Sequence, residues 1–440
     1  MGTGKSTAII NYIKDCSRFG SESNERFIIF VVTENERDNR FIKELSAKKP
    51  DIPPFRKSIL DMILDGDNIV TTQALCSVFN DETIAAFQES EYKYTAFFDE
   101  IPALFTDIVG CKRKNNDFGN IICFGKADVK LMQTNNIVIS DNQQIFYNQD
   151  SDYAKSDSDS KIFDSVKQLG SRCDLFPYGK DKDGYFTSII AFAKRSIFEC
   201  FNEIWFCSYL TKGSMLDIYC NLNDINIVYY HIDDKGDIAN NPEGKYIESY
   251  PAGLDRIEIL DSLKFNMNNS LSKDWYGKAN LEKNKTSMKV LAGKFRNAYE
   301  FMRKHGVTAK SFIWTTFKEY RNNIKINNKY VPVNKTWLAC NTKATNDYSN
   351  CTGVAYVCNR FFDVNCTNYL SQLAEKTNKA ELKFNNDNYA LSELIQFIYR
   401  SNIRVKDSDK KIYVWIPDYR MRNLLYNYRE KALKFHKIIT

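Results

Sequence analysis

The chain has 440 residues, 43% apolar and 26% charged, with 61 Lys and Arg against 55 Asp and Glu for a formal net charge of +6. That balance is globular rather than disordered or fibrous, and the length suits two or three domains of roughly 150 residues. The longest purely apolar run, 27–32, falls far short of the roughly 18–20 residues a membrane span needs, and no signal-like segment opens the chain. A membrane protein and a secreted disulfide scaffold are thereby excluded, and a cytoplasmic location is expected. The twelve cysteines contain no C-x-x-C pair, and His231, His305 and His436 stand singly, so the thiols read as reduced and mostly buried rather than as zinc ligands.

In chain order, 6–17 has helical spacing, 27–33 is an apolar run, and 36–47 is an amphipathic charged segment. The short runs 68–72 and 95–98 follow, separated by helix-like stretches. Apolar runs of about five residues between helices predict βα units around a parallel sheet covered on both faces. From 110 to 185 the texture changes, with a charged patch at 112–116 and a polar, low-complexity stretch at 150–161 that reads as an exposed, mobile loop. Residues 189–210 read as a helix followed by a strand. Residues 231–287 are polar and read as an interdomain region. A second α/β domain is expected over 288–440, with a helix at 291–304, strands at 311–316 and 336–341, a helix at 389–399 and a strand at 411–416.

Residues 1–7 read MGTGKST. Gly4-Lys5-Ser6 is the second half of G-x-x-x-x-G-K-[ST], in which backbone N–H groups at a helix start cradle phosphate oxygens. Lysine reaches the β and γ phosphates, and the hydroxyl binds Mg²⁺. The first glycine of the pattern would fall two places before Met1, and the strand carrying the loop is missing too. The sequence therefore reads either as a piece of a longer product or as a loop that does not work. A matching acidic motif follows: 95–100 reads TAFFDE, an apolar strand ending in two carboxylates, 94 residues after Lys5. Asp99 suits Mg²⁺, and Glu100 suits orienting and deprotonating water.

These two motifs resemble those of the superfamily 2 (DExD/H-box) helicases, of the phage- or virus-borne, origin-binding type. MGTGKST is similar to their motif I, with Gly2, Gly4, Lys5, Ser6 and Thr7 around the phosphates. Asp99-Glu100-Ile101-Pro102 is similar to motif II. The 31–41 segment VVTENERDNRF lies where motif Ia falls, and 69–75 (IVTTQAL) resembles strand-end threonines that touch a nucleic-acid backbone. In the second half, 311–320 has the form of motif IV, 338–348 lies at motif V, and 393–404 (ELIQFIYRSNIR) resembles motif VI. There Gln396 and Arg400 keep the family's spacing, while the second arginine, Arg404, comes one place late. On one helix, Arg400 and Arg404 would share a face.

The resemblance implies two RecA-like α/β lobes with central, mostly parallel sheets, of the P-loop NTPase class. The first lobe would cover 1–230, with an insertion at about 110–185 because the motifs on either side stand farther apart than the family's spacing, and the second 288–440. It implies ATP and Mg²⁺ as cofactors, with metal at Ser6 and Asp99, and catalytic roles for Glu100, Gln396, Arg400 and Arg404. Nucleic acid is the implied partner, single-stranded DNA before RNA, with contacts from Thr33, Thr71, Thr72, Thr315 and Thr345 and with replication proteins alongside. The implied activity is an ATP-dependent helicase or translocase in the replication or recombination of a phage or mobile element, acting in the host cytoplasm. Two rivals stand beside it. One is a packaging motor of the terminase type, whose nuclease half would draw on Asp363, Asp387 and Asp418. The other is an inactive, helicase-derived nucleic-acid-binding protein.

Overall fold

The apolar runs of the first hundred residues pair side by side because neither of their faces is left to water. In the computed structural model, which describes residues 4–20, 22–51, 55–76, 79–109, 124–141, 143–156, 163–233, 236–248, 250–283, 285–326, 336–340 and 347–439, they form a parallel four-stranded sheet. Its order is Ile69–Thr72, Glu25–Val31, Lys93–Phe98, Glu203–Phe206. The register sets Ile29 beside Phe97, Phe30 beside Phe98, and Phe97 and Phe98 beside Trp205 and Phe206. Alternation along each strand then sorts the side chains by face. On one face Phe30 stacks on Phe98 at 4.5 Å, and Phe98 on Phe206 at 5.0 Å. On the other, Phe27, Ile29, Val31 and Phe97 join Ile9, Ile10 and Ile13 of the Lys5–Asp15 helix and Phe41 in one core.

Between the Asp99-Glu100 pair and the Glu203–Phe206 strand the chain builds an antiparallel five-stranded sheet. Its order is Phe105–Asp107, Phe186–Ala193, Cys173–Lys180, Gln144–Tyr147, Val138–Asp141. The expected helix over the start of 189–210 is instead the second half of the Phe186–Ala193 strand. Helix and buried strand are not separable for a short apolar run by periodicity alone, and here the partner strand Cys173–Lys180 decides.

The chain divides into two units. Lys5–Tyr246 forms the first together with Asp363–Phe384, a segment returning from far along the sequence. In that segment the helix Val364–Thr377 is capped by Asp363, whose Oδ1 accepts the Cys366 N–H at 2.9 Å. Tyr369 packs on Phe176, Phe192 and Tyr178 of the antiparallel sheet. Asn365 Nδ2 donates to Asp107 Oδ2 at 2.6 Å. The polar residues 231–287 do not form a separate connector. The hairpin of Tyr230–Ile232 and Ile238–Asn240 closes the first unit, and Ile247 opens the second.

The second unit, 247–362 with 385–440, is built on another parallel sheet: Ile257–Ile259, Ile412–Trp415, Gly353–Tyr356, Phe312–Thr315. The helix Thr286–Lys304 buries Leu291, Phe295, Ala298 and Met302 at three- and four-residue spacing, the apolar stripe expected of a helix on a sheet. Phe295 meets Trp314 and Trp415. Gly353 is required by close packing, since a Cβ there would lie 2.6 Å from the Val307 side chain. Over the expected strand 336–341 the described residues make only an isolated bridge, Trp337 to Trp314. No helix among the described residues is long and apolar enough to cross a membrane. Mixed α/β architecture on two parallel sheets, the fold class expected from the sequence, is what the chain adopts.

Phe98 is fully buried between two aromatic neighbours, so Phe98→Ala is expected to destabilise the first unit by about 3–5 kcal/mol. Urea unfolding followed by tryptophan fluorescence measures this, and a loss below about 1 kcal/mol would contradict the packing.

Candidate functional site

The Lys5–Asp15 helix starts directly after Gly4, whose φ of +75° is a backbone state that residues with a Cβ rarely adopt. Its inner face is held to the sheet by Ile9, Ile10 and Ile13, so its first turn is fixed at the C-terminal edge of the strands. There the Ser6 side chain, buried at 8% exposure, donates to Asp99 Oδ1 at 2.8 Å. Asp99 is itself 7% exposed, and its backbone N–H donates to the Phe30 carbonyl. The Lys5 ammonium donates to the Cys207 carbonyl at 3.2 Å, just past the Glu203–Phe206 strand. Thus the residues of both sequence motifs meet at one place, 93 positions apart in the chain.

Four participants were not anticipated. Gln73, buried at the start of the Gln73–Cys76 helix, donates from Nε2 to the Glu100 carbonyl at 2.7 Å and fixes the backbone after the acidic pair. The Cys207 carbonyl is the second, as acceptor for Lys5. Arg40 Nη2 donates to Thr7 Oγ1 at 2.7 Å. Glu36 lies beside Arg40, with an N–O distance of 4.0 Å. Burial, reinforced by the neighbouring Asp99 and Glu100 carboxylates, pushes the Glu36 carboxyl up to about 7. A signal for the last two was present: Glu36 and Arg40 are an i, i+4 acid–base pair just after a strand.

Ser6 and Asp99 offer a hydroxyl and a carboxylate, hard oxygen donors of the kind magnesium takes. No cluster of three or more His, Cys, Asp or Glu side chains arranged to hold a metal occurs among the described residues. The donor set therefore fits an ion that keeps waters and takes further ligands from a substrate's phosphates.

The remaining expected residues lie as follows. Gly2 and Thr345 fall outside the described residues. Thr33 caps the turn Glu34–Glu36, its Oγ1 accepting the Glu36 N–H at 3.2 Å. Thr72 is half-buried at a strand end. Thr71 is only 2% exposed and Thr315 0%, and the Thr315 hydroxyl donates to the Leu338 carbonyl at 2.8 Å. These two threonines are packing residues of the sheets, not surface contacts, because β-branched side chains fill buried strand positions. In the second unit the helix Asn386–Ile398 ends before Arg400. Arg400 is buried over the Phe397 ring and donates to the Cys340 carbonyl at 3.5 Å, while Arg404 belongs to the separate turn Asn402–Arg404. The shared helical face expected for the two arginines is therefore absent. Gln396 Nε2 donates to Ser392 Oγ, one turn back on its own helix.

The three aspartates a nuclease would need have other work. Asp363 caps a helix in the first unit, Asp387 pairs with Arg420 at 2.7 Å, and Asp418 accepts the N–H groups of Leu271 and Met421.

Glu36 makes stability depend on pH. Its folded value of about 7 exceeds the ordinary 4.5, so between those values the folded chain holds a proton that the unfolded chain has released. Stability then falls as pH rises through that window, by on the order of 2–3 kcal/mol. Urea midpoints at pH 5, 6 and 7 should show a smaller decline for Glu36→Gln than for the parent; parallel declines would refute this origin.

Residues 254–429 match the family model described as the YonV C-terminal Rossmann-like domain, and the parallel sheet of the second unit lies within that span. A solved structure described as that of S. tokodaii Xpd4 aligns over 97% of this chain and 92% of its own, with 12% identity and a TM-score of 0.48. Across 448 residues, 98% of this chain and 97% of the other, the sequence is 26% identical to, and so similar along its length to, the SPbeta prophage-derived uncharacterized protein YonV of Bacillus subtilis (strain 168).

Proposed function

We propose that the chain is a nucleic-acid-dependent ATPase of the superfamily 2 helicase type, using ATP and Mg²⁺ to translocate along or unwind nucleic acid. The observation that carries this reading is the 2.8 Å hydrogen bond from Ser6 to Asp99. It joins the hydroxyl of a Gly-Lys-Ser-Thr helix start to a strand-end aspartate, the pairing that metal-assisted phosphoryl transfer uses.

In this reading the first-turn N–H groups of the Lys5–Asp15 helix and the Lys5 ammonium hold the phosphates. Ser6 and Asp99 would hold Mg²⁺, which would supply charge neutralisation to the phosphate oxygens. Glu100, whose backbone is anchored by Gln73, takes the proton of the attacking water. Thr72, at a strand end of the first unit, and Thr33, capping the turn that follows another strand, are the candidate contacts to a nucleic-acid backbone, with single-stranded DNA the first substrate to try. Phosphate contacts of this kind make binding sensitive to salt and largely blind to sequence.

The test is ATP hydrolysis with Mg²⁺, with and without single-stranded DNA, on the chain, Lys5→Ala and Glu100→Gln. Stimulation of the parent by DNA and a loss of about 10²-fold or more in each variant are expected. Equal rates in all three proteins, indifferent to DNA, would remove the reading.

A further inference from the structure

Because all four strands of the first sheet run the same way, the chain leaves each of them at one edge, and strand order sets the order in which the departing loops are ranged along it. After Glu25–Val31 come Glu36 and Arg40. After the neighbouring Lys93–Phe98 come Asp99 and Glu100. After the next strand, Glu203–Phe206, comes the Cys207 carbonyl that accepts Lys5. Adjacent strands are roughly 4.8 Å apart, so the Lys5 ammonium and the Arg40 guanidinium are drawn to opposite flanks of the acidic pair. We infer that Arg40 is a second phosphate-binding cation of the nucleotide site, flanking the phosphate chain on the side away from Lys5. The inference rests on the nucleotide-binding reading proposed above and adds a residue to it.

Three observations carry it. Arg40 donates to the hydroxyl of Thr7, the third residue of the Lys5–Asp15 helix. Thr7 lies in the turn whose N–H groups have no partner within the helix, so the guanidinium stands beside the place where an anion would be held. Second, the arginine is reachable: its side chain is 40% exposed, and its acidic partner Glu36 is held only at 4.0 Å. A phosphate oxygen offers the fork-shaped guanidinium an ionic partner at hydrogen-bond distance, which neither the neutral Thr7 hydroxyl nor the Glu36 carboxylate at 4.0 Å supplies. Third, Arg40 stands on a π-turn, Arg37–Phe41, inside an otherwise α-helical segment. Such turns widen the helix locally and are frequent at functional sites.

The opposing possibility is a strut, in which Arg40 merely ties the 34–44 helix to the phosphate helix. A strut affects folding without discriminating between ligands. Titration of the full chain with a nonhydrolysable ATP analogue and Mg²⁺, and separately with AMP, tells the two apart when combined with thermal unfolding in the absence of nucleotide. Arg40→Ala should weaken the triphosphate analogue about tenfold or more while changing AMP affinity little, with an unfolding midpoint near the parent's, and Arg40→Lys should recover part of the loss. Analogue affinity for Arg40→Ala within about twofold of the parent, while Lys5→Ala loses binding, would overturn the inference and leave the nucleotide reading standing. Should Arg40→Ala fail to fold, Arg40→Lys decides alone: parental affinity overturns the inference, and a loss of about three- to tenfold supports it. Analogue binding that is absent from the parent, or unchanged by Lys5→Ala, would overturn both.

Discussion

A hydrogen bond from the Ser6 hydroxyl to the Asp99 carboxylate joins the start of the first helix to the end of a central strand. It forms because two independent constraints deliver those groups to the same edge. The apolar stripe Ile9, Ile10 and Ile13 docks the helix on the sheet, and the fully buried run ending at Phe98 carries Asp99 to the strand's C-terminal end. In open parallel sheets the crevice at that edge is where ligands bind, since the loops leaving the strands are free to present polar groups there. Gln73, Glu36, Arg40 and the Cys207 carbonyl all arrive by the same route: Gln73 directly follows one strand, Cys207 directly follows another, and Glu36 and Arg40 come within nine residues after a third.

Charge is crowded at this edge. Glu36, Asp99 and Glu100 bring three carboxylates close to one another, with Lys5 and Arg40 as the nearby cations. The rise in the Glu36 carboxyl shows what that crowding costs: burial near two other acids favours the protonated form. In the proposed nucleotide-binding role, a divalent cation would relieve the repulsion, and phosphates would engage the cations. An arrangement strained in this way suits a site that gains stability by taking up its ligand.

The second unit repeats the architectural principle with a different sequence. Its parallel sheet is again sealed by aromatic side chains, here Phe295 against Trp314 and Trp415. The chain does not stay within it. At Phe362 it leaves, and the helix Val364–Thr377 completes the antiparallel sheet of the first unit before the chain returns at Asn385. That excursion is held by Tyr369 against three aromatic rings and by the Asn365–Asp107 hydrogen bond. None of these contacts has a local sequence signature, because each partner lies some two hundred residues away.

What the amino-acid order determined unaided was local: strands where apolar runs are too short for helices, a helix after Gly-Lys-Ser-Thr, and carboxylates at the end of TAFF. Each rests on periodicity or on a residue's own chemistry, which neighbours in sequence suffice to specify. Only the tertiary structure decided the rest. Residues 189–193 became a strand because Cys173–Lys180 pairs with them. Thr71 and Thr315 became core because layers cover them. Arg400 and Arg404 parted because their helix stops at Ile398. Arg40 joined the site because strand order placed it there. Pairing, burial and strand order are properties of distant segments meeting, and the free energy that selects among them comes from surfaces no single stretch of sequence contains.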